Sequence, residues 1–188
     1  FCGGLNVTQY LAAFGAGIAS DVNPRLFVLF EAIRSGWLPP EDVSEEQYKA
    51  AKLLADDDPL KVFCGFCCSF SGLWFATYAK PGVYKYASSG QVQTRNYAKQ
   101  AAFALKKQMA AISSCQLVCM SFFDVDPQGG FLPEVIYCDP HYAGTTGYKG
   151  VADFPSDVFW VACRKWAQRG VRVYVSEYEA PDFAVCVW

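Results

Sequence analysis

The chain has 188 residues, 53% of them apolar, with 15 Phe, 11 Tyr and 5 Trp. That is enough apolar mass for one packed domain, with room for an insertion, and it excludes a disordered chain. The net charge of −2 names no partner, and nine cysteines, an odd number set among apolar neighbours, fit reduced buried thiols of a cytoplasmic protein better than a disulfide framework.

Phe1-Cys2-Gly3-Gly4-Leu5-Asn6 reads as a strand end and the turn after it, with the strand itself lying upstream. The sequence therefore reads as a piece of a longer protein, truncated at the N-terminus, and no signal peptide is visible. Gly3 and Gly4 let a backbone turn approach a ligand, or simply make a tight turn. Thr8 to Phe14 reads as a short helix stopped by Gly15 or Gly17. Ala16 to Ser20 reads as a strand, and Asn23-Pro24 as the cap and first residue of a helix, which leaves Asp21 at the strand's carboxyl end. An acid about 20 residues past a glycine turn is how doubly wound folds hold ribose hydroxyls; an Asp that merely supports the turn is the alternative. The helix from Pro24 to Gly36 carries Leu26, Phe27, Leu29, Phe30 and Ile33 at helical spacing and is expected to pack on the sheet.

Leu38 to Val43 is a Pro-bearing connection. Ser44-x-x-Gln47 is a capping box for a short amphipathic helix, and Asp56-Asp57-Asp58 reads as a solvated loop that caps the next segment. From Pro59 to Phe123 there is no Asp or Glu, while Lys61, Lys80, Lys85, Arg95, Lys99, Lys106 and Lys107 supply seven positive charges. Such a split suits a nucleic-acid-facing segment on an acidic scaffold; a helix with a solvated basic face is the plainer reading. The uncharged window 62–79 has the length of a membrane span, but its Gly, Ser and Thr dilute it, and no membrane is expected. Cys64-x-x-Cys67 could join Cys115 and Cys119 around zinc, yet the sole histidine is His141 and the surroundings read as core, so no metal is expected. Lys80 to Ser89 interleaves Tyr84 and Tyr86 with lysines, a pattern able to stack on bases and hold phosphates. Thr94 to Ile112 reads as a helix, with Arg95, Lys99 and Lys106 toward a common side and Ala101, Ala102, Leu105 and Met109 inward.

Gln116 to Met120 is the next strand, leading into Ser121-Phe122-Phe123-Asp124. Val135 to Cys138, β-branched and aromatic, reads as a buried strand that stops at Asp139-Pro140 before a Gly-rich loop. Ligands gather outside the carboxyl ends of strands in open α/β sheets, so Asp139, Pro140, His141 and Tyr142 form the candidate site. Ser156 is expected to cap a helix to about Gln168, with Val158, Phe159, Val161, Ala162 and Trp166 inward, ended by Gly170. Val171 to Ser176 and Phe183 to Trp188 read as two more strands. The fold class is α/β, a mostly parallel sheet with helices on both faces and an antiparallel edge.

Asp139-Pro140-His141-Tyr142 closely resembles the Asp-Pro-Pro-Tyr signature of adenine-N6 DNA methyltransferases of the Dam type, found in bacteria and their phages. It departs from it in one letter, His141. Three other stretches match in the family's own order: Phe1-Cys2-Gly3-Gly4-Leu5, Asp21, and Phe122 with Asp124. The resemblance implies a Rossmann-like methyltransferase sheet over 1–37 and 113–188, with a target-recognition insertion over 38–112. It implies S-adenosylmethionine as cofactor, contacted by Phe1, Cys2, Gly3, Asp21 at the ribose, Phe122 and Asp124 beside the adenine, and Asp139. The catalytic set would be Asp139, Pro140 and Tyr142. DNA would be the partner, met in the basic insertion by Lys80, Lys85, Arg95 and Lys99 and near the catalytic motif by Tyr148 and Lys149. The enzyme is taken as a cytoplasmic monomer.

A proline at 141 would hold residue 140 extended and so aim its carbonyl; histidine removes that restraint, and weakened activity is expected. Transfer to cytosine N4 or to RNA uses similar motifs, and a DNA-binding relative without turnover would keep the fold and the basic insertion. Both remain open alternatives.

Overall fold

A computed structural model gives the structure over residues 2–15, 17–85, 90–125, 133–140 and 154–187. The chain opens with α1 (Thr8–Leu11) and a 3-10 turn that Gly15, at φ +139°, stops. After β1 (Ile18–Asp21), Asn23 accepts from the Arg25 amide at 3.2 Å and Pro24 starts α2 (Pro24–Arg34). The capping box forms in full ahead of α3 (Glu45–Ala51): the Gln47 amide donates to Ser44 Oγ at 3.2 Å, and the Ser44 amide to Gln47 Oε1 at 2.7 Å. Asp58, last of the acid run, accepts from the Leu60 amide at 2.8 Å and starts α4 (Pro59–Cys67). Then follow β2 (Gly82–Lys85), β3 (Val92–Arg95), α5 (Tyr97–Ala111) and β4 (Gln116–Cys119). The chain continues with β5 (Val135–Cys138), α6 (Ser156–Gln168) and β6 (Arg172–Val175). The fold is mixed α/β, with six helices and small parallel and antiparallel sheets among the described residues.

β1 pairs with β4. The amides of Gln116 and Met120 donate to the carbonyls of Gly17 and Asp21. That offset stays constant as both chains advance, which requires strands running the same way. β5 and β6 are also parallel, in register from Val135↔Arg172 to Cys138↔Val175, while β2 and β3 form an antiparallel hairpin.

Two compact units divide the chain: residues 1–2, 20–22 and 119–188, and residues 3–19 and 23–118. In the second unit α2 packs on α4 and α5, burying Phe27, Leu29 and Phe30 with Val62, Phe63, Leu105 and Ile112. The α2 stripe expected on the sheet thus meets helices. In the first unit β5, α6 and β6 make one βαβ unit, and Phe159, Cys163 and Trp166 of α6 bury against Cys138 and Val171. Fully burying a side chain the size of Phe159 stabilises by roughly 1.5–3 kcal/mol.

Several expectations need correction. Val158 and Val161 are 48% and 52% exposed. At about 100° per residue, Val161 lies some 200° from Phe159, on the far side of α6. α6 begins at Ser156, but that hydroxyl makes no capping bond and Pro155 stands at the cap position. Thr94 and Arg95, expected in the helix, belong to β3 instead, because they pair with Val83 and Gly82 of β2, and Asn96 caps α5 by accepting from the Lys99 amide at 3.0 Å. Residues 183–187 form no strand; Val185 and Val187 are 84% and 70% exposed, so the apolar alternation has no sheet to face. The antiparallel pairing lies in the hairpin, not at the chain's end.

Candidate cofactor and catalytic site

The Ser176 amide donates to the Cys138 carbonyl at 3.0 Å, so the β5–β6 ladder holds to the last residue of β5. There it stops, because Pro140 has no amide hydrogen to extend it. Cys138 is buried, Asp139 exposed and Pro140 buried, the alternation a strand end produces. Tyr137 and Ser176 hydroxyls hydrogen bond at 2.6 Å beneath this end. The thiols of Cys138 and Cys163 hydrogen bond within the core, and that bond with burial pushes the Cys163 thiol up. The same bond draws the Cys138 thiol down against its burial.

The Cys2 amide donates to the Ser20 carbonyl at 2.7 Å, and the Met120 amide to the Asp21 carbonyl at 2.9 Å. Burial, and then the Asp21 carboxylate, push the Cys2 thiol up to about 12. Beyond β4, Ser121 Oγ accepts from the Phe123 amide at 3.3 Å and opens a 3-10 turn over Phe122–Asp124. Phe122 stands edge-on to Phe159, centroids 5.4 Å apart at 88°, and stacks on Phe123 at 4.1 Å. Phe122 is therefore anchored to the α6 core, while Asp124 is exposed.

Cys2, Asp21, Phe122, Asp124, Asp139 and Pro140 belong to one compact unit. Gly3 falls in the other. Its φ of +45° is what calls for glycine, and a Cβ there would meet no protein atom within 4 Å. Phe1, His141, Tyr142, Tyr148 and Lys149 lie outside the described residues.

The expected nucleic-acid contacts sit in the second unit and differ in availability. Lys80 and Lys85 are exposed, and neither makes an ion pair among the described residues. Arg95 bonds Gln93 through Nε at 3.1 Å and lies over the Tyr97 ring at 5.8 Å. Lys99 faces Glu41 at 3.6 Å across two exposed side chains, a pair that holds it only weakly. Lys61 is committed to the fold: its ammonium meets Asp56 and the Leu54 carbonyl, each at 2.7 Å.

One feature of this unit has little signal in the sequence. The loop after α4 carries Ser71, Gly72 and Phe75 at φ +57°, +68° and +45°. An aromatic residue in that region is strained and persists only where its surroundings enforce it. Trp74 and Phe75 pack onto Gly65, where an added Cβ would sit 2.4 Å from the Trp74 ring, and Arg25 covers Trp74 at 4.7 Å. The braced loop exposes Phe70 (60%) and Leu73 (44%). The Ser71-Gly72 pair is the only local hint of it.

Among the described residues no group of three His, Cys, Asp or Glu side chains could hold a metal ion. None of their helices is long and apolar enough to cross a membrane. No family model matches the chain, and no curated protein sequence matches it.

Proposed function

We propose that the protein transfers a methyl group from S-adenosylmethionine to N6 of an adenine turned out of DNA. The observation that carries this reading is Asp139-Pro140 at the carboxyl end of a parallel βαβ unit, within the same compact unit as Cys2, Asp21, Phe122 and Asp124. The reading takes the parallel pairs β1–β4 and β5–β6 as parts of one Rossmann-like sheet with the insertion set aside for DNA. The residues of that unit suit the cofactor chemically: a half-buried acid at a strand end for ribose hydroxyls and an anchored aromatic for an adenine.

When bound, S-adenosylmethionine supplies a methyl already activated on a sulfonium. What the protein must do is align the amine with it, and orientation of this kind can lower a barrier by about 7–11 kcal/mol. The adenine N6 lone pair is delocalised into the ring and weakly nucleophilic. The Asp139 carboxylate and the Pro140 carbonyl, both accepting from the N6 hydrogens, would favour a tetrahedral nitrogen and stabilise its developing positive charge. Charge-assisted bonds of this sort contribute about 1.5–3 kcal/mol each. Turning the base out costs a few kcal/mol, and stacking on Tyr142, the role the resemblance gives that residue, would return about 1–3 kcal/mol.

The exposed basic hairpin and the apolar tip of the Phe70–Leu73 loop support a nucleic-acid partner, since charges hold phosphates and apolar tips enter between bases. His141 favours a second reading, a DNA-binding relative with weakened or no turnover. The test is mass spectrometry of nucleosides after incubating the protein with duplex DNA and cofactor. N6-methyladenine, abolished in Asp139→Ala, is expected; N4-methylcytosine, or DNA binding with no methylated base, would overturn the adenine assignment.

A further inference from the structure

The two faces of the β5–β6 pair have different neighbours. Faces alternate along a strand and directly paired residues share one, so Ile136, Cys138, Val173 and Val175 stand together on the side that packs against α6. Tyr137 and Tyr174 stand on the other side. The register, carried one residue on, sets Asp139 beside Ser176 on that same second face. There the Tyr137 and Ser176 hydroxyls hydrogen bond at 2.6 Å. The bond runs diagonally, past Tyr174 to the residue two places further along β6, so it opposes sliding of the strands as well as their separation.

In a parallel ladder the residue opposite Asp139 should make two backbone bonds, one to each side of it. For Ser176 the first is made, its amide donating to the Cys138 carbonyl at 3.0 Å. The second would bring the amide of residue 140 to the Ser176 carbonyl, and Pro140 has no hydrogen to give. Asp139 thus sits where half of the backbone tie is missing, and the hydroxyl pair supplies a side-chain tie on its own face of the sheet. Resting on the methyl-transfer reading above, we propose that Tyr137 and Ser176 are positioning residues for that reaction. Their bond fixes the end of β5, and with it the place from which the Asp139 carboxylate and the Pro140 carbonyl receive the target amine. Both hydroxyls act through Asp139 and Pro140, not on the substrate.

The test removes one hydroxyl at a time, in Tyr137→Phe and Ser176→Ala, with Tyr174→Phe as control. Tyr174 stands on the same face, and its hydroxyl makes no bond among the described residues. Protection of the residue-176 amide against exchange, read by NMR, should drop in the first two variants and hold in the control. With duplex DNA and S-adenosylmethionine, kcat should fall about ten- to hundredfold in those two, with KM for DNA nearly unchanged. The double variant should be no slower than either single one, and Ser176→Thr, which keeps a hydroxyl, should restore the rate. Assays run well below every variant's melting temperature keep lost stability out of the rates. A Tyr137→Phe rate equal to wild type overturns the positioning role whatever the exchange shows, and so does an equal loss in Tyr174→Phe. A slower rate with unchanged protection overturns the tie. Wild-type protein that leaves DNA unmethylated, while Tyr137→Phe still loses protection, overturns the methyl-transfer reading and the target amine with it, and the tie at the strand end stands.

Discussion

The Cys2 amide donates to the Ser20 carbonyl at 2.7 Å, one residue short of Asp21, whose carboxylate raises the Cys2 thiol. Because burial contributes first and charge second, Cys2 should resist iodoacetamide near pH 8 while exposed Cys119 and Cys186 react. Asp21→Asn removes the second contribution, and Cys2 alkylation should then quicken, as peptide mass spectrometry would show. An alkylation rate indifferent to Asp21 would separate the two side chains.

Stability should fall on the alkaline side. Burial pushes both Cys2 and Cys67 up to about 12, from an ordinary value near 9. A raised folded-state value means the folded chain holds protons that the unfolded chain releases. The contribution is complete below about pH 9 and is lost as pH rises toward 12, by up to about 1.4 kcal/mol per pH unit per thiol. Urea midpoints measured across that window should decline, and replacing Cys67 with Ala should flatten the decline.

Gly65→Ala should be costly although alanine is the better helix former. Its Cβ would stand 2.4 Å from one Trp74 ring carbon and 2.9 Å from Phe75. Ring atoms cannot yield as a flexible chain end would, so overpacking should cost about 1–3 kcal/mol. A shifted Trp emission together with a lower melting temperature would report the displaced Trp74.

Phe159→Ala should cost about 3–5 kcal/mol, as for other large aromatic deletions. Phe159 is 1% exposed, and its ring meets Phe122, Phe154 and Trp160. Since Phe122 leans on it, cofactor affinity measured by calorimetry should weaken as well, whereas Val161→Ala on the exposed side of α6 should leave both near wild type.

Lys61 should matter to folding rather than to nucleic acid. Removing its bond to the Leu54 carbonyl in Lys61→Met should cost about 1.5 kcal/mol, read by denaturant unfolding, with DNA affinity and its salt slope unchanged. Lys85→Ala should do the reverse, because that side chain is exposed and meets no acid among the described residues.

What the sequence determined by itself was local. Asn23, Ser44 with Gln47, and Asp58 cap helices through bonds that close within three residues, so their chemistry is complete in the chain's own neighbourhood. The stop of β5 at Asp139-Pro140 was equally legible, since a residue without an amide hydrogen ends a ladder wherever it stands. Only the tertiary structure decided that Thr94 and Arg95 would be strand and that Asn96 would cap the helix after them, because the outcome hung on pairing with Val83 and Gly82 across the hairpin. It also decided which α6 residues face the core and that 183–187 join no sheet. It seated Trp74 over Gly65, a packing no periodicity announces. Such choices depend on apolar area and hydrogen bonds supplied by distant partners, and a propensity of a few tenths of a kcal/mol per residue cannot outweigh those.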